Sequence, residues 1–231
     1  MGACLALTIA LTPIACSPRQ FTTAILYDTP SAFVRLEADR TVEKGREHSH
    51  PVTINSELMA AVLSGIIIEE PLARLPFYDD TSQPRRHRAF NDNTVAFLAP
   101  LLTLGLGKAT PEEVVTFYQT RDVSGTSREV TSGGLFVQGE ELHIVLSNYH
   151  SSTHYMADIG VADTTDDRLT PMQSLAPQRG RLDFEPRRAM LTQSSNGWSK
   201  FFERDRRELI VLIKQLTPRL LSPSSADSST R

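Results

Sequence analysis

Residues 90–150, FNDNTVAFLAPLLTLGLGKATPEEVVTFYQTRDVSGTSREVTSGGLFVQGEELHIVLSNYH, carry the pattern that decides the fold. Asn91, Asp92 and Asn93 offer N-caps, and Val95, Leu98, Leu102 and Leu106 then recur at helical spacing. Phe97, Ala99 and Leu101 widen that stripe, so a helix over Asn93–Gly107 is expected to be buried around much of its circumference. Pro100 removes one backbone donor and is expected to kink or divide the helix at Ala99. Ala109-Thr110-Pro111 turns the chain into a β-branched and aromatic run, Val114–Arg121. Val115 and Phe117 fall on one face of this strand, and Val114, Thr116 and Tyr118 on the other. A hairpin over Glu129–Asn148 follows, its arms joined at Gln138-Gly139-Glu140. Gly133-Gly134 in the first arm signals a bulge or a close backbone approach, and no helix or Lys-Ser/Thr pair follows to make a phosphate loop.

Working outward, Ala24–Tyr27 and Ala32–Glu37 read as strands around a turn at Asp28-Thr29-Pro30-Ser31, with Val34 and Leu36 facing in and Arg35 and Glu37 out. Asn55-Ser56-Glu57 starts a helix through Leu58, Val62 and Leu63 that Gly65 ends, before a short strand at Ile66–Ile68. Pro71–Phe90 reads as irregular, and its cluster Arg85-Arg86-His87-Arg88 as a solvated loop in a protein whose Arg outnumber Lys 20 to 4. Ala157–Ala162 and Arg181–Phe184 supply further strands, the latter at an edge, and Asp163-Thr164-Thr165-Asp166-Asp167 an acidic turn. Ser199–Leu216 is expected to be a third helix, with Phe202, Leu209, Leu212, Ile213 and Leu216 in its stripe. The expected fold is α+β: a single domain over residues 21–221, an antiparallel sheet or meander with about three packed helices, then a disordered tail at 222–231.

A hydrophobic fraction of 40% with 22% charged residues fits a folded body, and a net charge of −3 predicts no nucleic-acid partner. No apolar run reaches the roughly 20 residues that cross a bilayer as a helix. Both cysteines, Cys4 and Cys16, precede residue 17, which excludes thiolate chemistry from the body. Met1–Ala15 bears no charge and is rich in Ala, Leu and Ile, as an export signal is. Pro13-Ile14-Ala15-Cys16 resembles the lipobox of bacterial lipoproteins, with Pro13 standing where Leu is usual and no basic residue after Met1. The resemblance implies removal of 1–15, lipidation at Cys16 and a tether at 16–20. It places the protein in a bacterial cell envelope, lipid-anchored and facing the periplasm. Ser17 in place of Asp favours the outer membrane. The segments FVRLEAD, FLAPLLTLGLGKATPEEVVTFY and TSGGLFVQGEELHIVL are similar to bacterial exported lipoproteins of unknown function, a likeness that transfers no activity.

Chemistry-bearing residues gather at Tyr149–Tyr155, which reads as a loop. His150 and His154, with His48 and His50 elsewhere, are the residues a metal site would use, yet no His-Glu-x-x-His pattern or nearby carboxylate supports one. Ser and His in the same loop allow acyl chemistry, but no Gly-x-Ser-x-Gly elbow is present. The expected function is therefore a lipid-anchored envelope component that binds or assembles with an envelope partner and performs no catalysis. No cofactor, metal or catalytic residue is assigned. The alternative is a periplasmic metal- or ligand-binding module, or a hydrolase, using the His150/His154 loop.

Overall fold

The computed structural model describes residues 21–42, 47–70, 84–124, 127–154, 167–178, 180–191 and 207–216. The signal and tether (1–20), the strand expected at Ala157–Ala162 and the tail at 222–231 lie outside them.

The described residues form nine strands and two α-helices: β1 (Thr22–Thr29), β2 (Ala32–Ala38), α1 (Ser56–Gly65), β3 (Ile66–Glu69), β4 (Arg86–Arg88), α2 (Asp92–Lys108), β5 (Glu113–Ser124), β6 (Ser127–Gln138), β7 (Glu141–His154), β8 (Arg181–Phe184) and β9 (Glu208–Leu212). A six-stranded sheet runs β1-β2-β5-β6-β7-β9 and a three-stranded one β4-β3-β8, with every pairing antiparallel. This is the expected α+β arrangement, mostly sheet, with two helices rather than three among the described residues. Neither helix is long and apolar enough to cross a membrane.

Both helices begin as their caps dictate. Asn55 accepts from Leu58 N at 2.6 Å and Asn91 from Thr94 N at 2.9 Å. The Leu98, Leu102 and Leu106 stripe of α2 is fully buried in one cluster with Val34, Leu36, Val115 and Phe117 of the large sheet and Ile66 and Ile68 of the small one. Pro100 does not divide α2, which runs unbroken from Asp92 to Lys108. Ala96 and Pro100 are both exposed, so the carbonyl that Pro100 leaves without its helical partner lies on the solvent side of the helix.

The opposite face of the large sheet is also buried, because residues 167–178 lie across it. Phe33 and Tyr118 stack with centroids 5.2 Å apart, beside Val130. Tyr118 donates to Asp167 Oδ2 at 3.1 Å, and Arg128 reaches the same carboxylate at 2.8 Å. Ser132 and Ser147 donate to the carbonyls of Pro171 and Met172. This cover corrects one expectation: Glu37 is buried rather than outward, and Arg35 Nε donates to its Oε1 at 2.5 Å. Burial raises the Glu37 pKa, and Arg35 opposes the rise.

The third expected helix is corrected too. Of Ser199–Leu216, residues 199–206 lie outside the described ones, while Glu208–Leu212 is strand β9 and Ile213–Gln215 a single 3-10 turn. Leu209 and Val211 alternate with Ile210 and Leu212, and the free edge of β7 selects that period-2 pattern over the helical one. The arginine cluster expected as loop contributes strand β4 along β3. There Arg86 pairs with Asp183 and with Glu185, and Arg88 with Asp92.

Candidate functional site

The β6–β7 hairpin starts from a two-residue connection, Gly139-Glu140, in which Gly139 has φ +62°. Register holds until Gly133, where a Cβ would stand 2.0 Å from the Val145 carbonyl oxygen, so only glycine admits the neighbouring backbone. Beyond it the pairing jumps from Ser132↔Asn148 to Val130↔Ser151. Tyr149 and His150 thus stand opposite Thr131 alone, a bulge, and His150 takes the left-handed φ of 46°. Tyr149–His154, expected as a loop, is the bulged end of β7.

The bulge aims two rings at a row of clefts. Tyr149 and His150 stack at 4.3 Å. His150 lines a cleft of about 240 Å³ with Asn91, Thr94, Gln119, Arg121 and Glu129, and also a second of about 360 Å³. That second cleft is walled by Glu70, His87, Tyr149, Ser152, Gln178 and Arg207. A third, about 300 Å³, shares Gln178 and Arg207 with it. Burial lowers the His150 pKa, against the pull of Glu129 3.6 Å away. His87 Nδ1–H donates to the Pro84 carbonyl at 2.9 Å, and its Nε2 shares a hydrogen bond of 3.1 Å with the Tyr149 hydroxyl. Burial raises the Tyr149 pKa and nearby Glu70 adds to the effect, so the phenol stays protonated at neutral pH.

Gln178 ties the site together. Its Oε1 accepts from Tyr149 N and from Arg207 Nη1, and its amide donates to Ser151 Oγ at 2.7 Å. Ser151 in turn donates to Asn148 Oδ1, which also accepts from Leu175 N. Ser152 Oγ meets Ser127 Oγ at 3.3 Å. Among the described residues, the serine hydroxyls of this strand therefore bond to amide, carbonyl and hydroxyl groups.

Of the four histidines singled out in sequence, His48 and His50 are neighbours, with ring centroids 5.5 Å apart, and His150 lies away from them. His48 and His50 sit where residues 47–50 cross the far end of the sheet: Val137 N donates to His50 Nε2 at 3.0 Å, and His48 Nε2 donates to Asp39 at 3.1 Å. His150 bonds Thr131 on the same strand, six residues and so about 20 Å away. His154 ends β7, and its side chain lies outside the described ones. Among the described residues no three His, Cys, Asp or Glu side chains are grouped to hold an ion. Cys16 also lies outside the described residues. Sequence reasoning missed His87, Gln178 and Arg207. His87 carried a signal, the period-2 spacing of Arg86 and Arg88 around it, whereas Gln178 and Arg207 come from irregular segments with none.

Comparison with protein-family models, curated proteins and solved structures finds no match to this chain.

Proposed function

We propose that this chain is a lipid-anchored component of a bacterial cell envelope that binds an extended polar ligand along the clefts beside the β7 bulge, without catalysing its conversion. The observation that carries the binding role is the row of three clefts with shared walls, lined by hydroxyl, amide, imidazole and guanidinium groups. Their volumes lie near the lower end of the range for small-molecule sites, about 300–1,000 Å³, so a ligand of several linked units matches the row better than a compact one. The positive φ of His150 adds weight. A non-glycine residue held there costs about 1 kcal/mol or more, and such cost is commonly kept where a ligand is clamped.

The anchor rests on the Cys16 signal and needs nothing of the body except that it hang from it. Acylation of that thiol and of the freed amine contributes about 0.8 kcal/mol per buried CH₂, enough for stable attachment. Membrane fractionation from a bacterial host is expected to find the wild-type chain with the membranes and Cys16→Ala in the soluble fraction. Soluble recovery of both would remove the anchor. For the groove, NMR titration with short oligosaccharides and peptides is expected to move the amides of Tyr149, Ser151 and Gln178. If no compound moves them, the binding reading is wrong.

A further inference from the structure

Arg207 precedes β9, and its carbonyl accepts from Leu146 N at 2.9 Å. The side chain forms a wall common to the second and third clefts. Nη1 donates to Gln178 Oε1 at 3.0 Å, which holds the guanidinium in one orientation. Nε and Nη2 are buried and have no hydrogen-bond partner among the described residues. In arginine these two N–H groups lie side by side in one plane and match two oxygens of a single carboxylate or phosphate. Among the described residues no carboxylate pairs with Arg207, although Glu70 lines the same cleft. Burial lowers its pKa and Tyr149 opposes this, but a guanidinium remains charged at neutral pH. A partly buried cation with two buried, unused donors is costly, and no group among the described residues relieves that cost.

We infer that Arg207 is the anchor for an oxyanion of the ligand, a carboxylate or a phosphate, seated through Nε and Nη2 where the second and third clefts meet. The inference rests on the groove described above and names the charge of what it binds. Gln178 is the positioning residue, since its Oε1 fixes both Arg207 and the backbone of Tyr149. Glu70 in the second cleft disfavours a ligand with several negative charges and leaves room for one.

Isothermal titration of the full chain tests this with N-acetyl-alanyl-alanine, its C-terminal amide, inorganic phosphate and a neutral trisaccharide. The free acid or phosphate is expected to bind wild type at least tenfold tighter than the neutral compounds, and which of the two does so distinguishes the sources. Arg207→Gln is expected to lose at least tenfold in that affinity. Arg207→Lys, which keeps the charge but not the planar pair of donors, should fall between them. Equal anion binding by wild type and Arg207→Gln overturns the inference. A neutral compound that binds best and shifts the Tyr149 and Gln178 amides also overturns it but leaves the groove standing. Absence of binding by every probe overturns both.

Discussion

His50 is the residue whose protonation the fold controls most directly. Its Nε2 is committed to accepting Val137 N–H, and the residue is 5% exposed. Burial, together with the neighbouring His48, lowers its pKa from 6.5 to about 4. The folded protein therefore resists taking up a proton that the unfolded chain accepts readily. Its contribution is fully present above pH 6.5 and is lost as the pH falls towards 4, with a total of about 3 kcal/mol. Urea denaturation at stepped pH should show the midpoint falling across that window. His50→Gln, which can still present an acceptor to Val137, should flatten the slope. An unchanged slope would show that another group titrates there. Asp39 acts lower down: the hydrogen bonds from His48 and Thr41 outweigh desolvation and hold its pKa below the usual carboxylate range, so its share of stability disappears only in stronger acid.

Among the elements, glycines differ in the space around them: Gly133 in the hairpin, like Gly65 and Gly105 in the helices, is crowded, whereas Gly107 is open. Gly133→Ala drives a methyl into the Val145 carbonyl, and the strands must separate or the chain must fail to fold, at a cost of 3 kcal/mol or more by order of magnitude. Gly107→Ala, in the last turn of α2, meets only the Val52 carbonyl at 3.9 Å and is expected to stabilise by about 0.5–1 kcal/mol. Thermal melts of the two variants check the contrast, which is refuted if they change the midpoint in the same direction. The same elements show what was legible in the sequence. Asn55, Asn91, the Leu98–Leu102–Leu106 stripe and the alternation of Val130–Val137 and Leu142–Leu146 each express a local preference that packing then reinforces. Glu208–Leu212 did not, because five residues rich in apolar side chains fit either period and only the distant edge of β7 decides. Tyr149–His154 read as loop because its Ser and Thr residues hide a strand whose polar side chains bond across the bulge. The groove was half legible: His150 announced itself as chemistry, but Arg207 and Gln178 meet it only through tertiary structure.

Over the whole molecule, the cover formed by residues 167–178 and the helices on the other face place β5, β6 and β7 at the centre of two buried layers. The β1 edge is less protected. β1 is half exposed along its length, with Ile25 62% open to solvent. Hydrogen exchange should therefore rank amides of Val115, Phe117, Leu135 and Ile144 slowest, and those at the β1 edge fastest. Equal protection of β1 and β6 would contradict this ordering. β9 is the other edge, and it reaches the sheet from far along the chain, its Leu209 pairing Ile144 across a long intervening stretch. On the ribosome, the neighbour of β9 must wait with a bare row of amides and carbonyls until residue 212 has emerged. Over that interval a nascent chain has an open template for pairing with another copy of itself, so a stop codon before Glu208 should yield aggregates rather than a shortened but orderly protein.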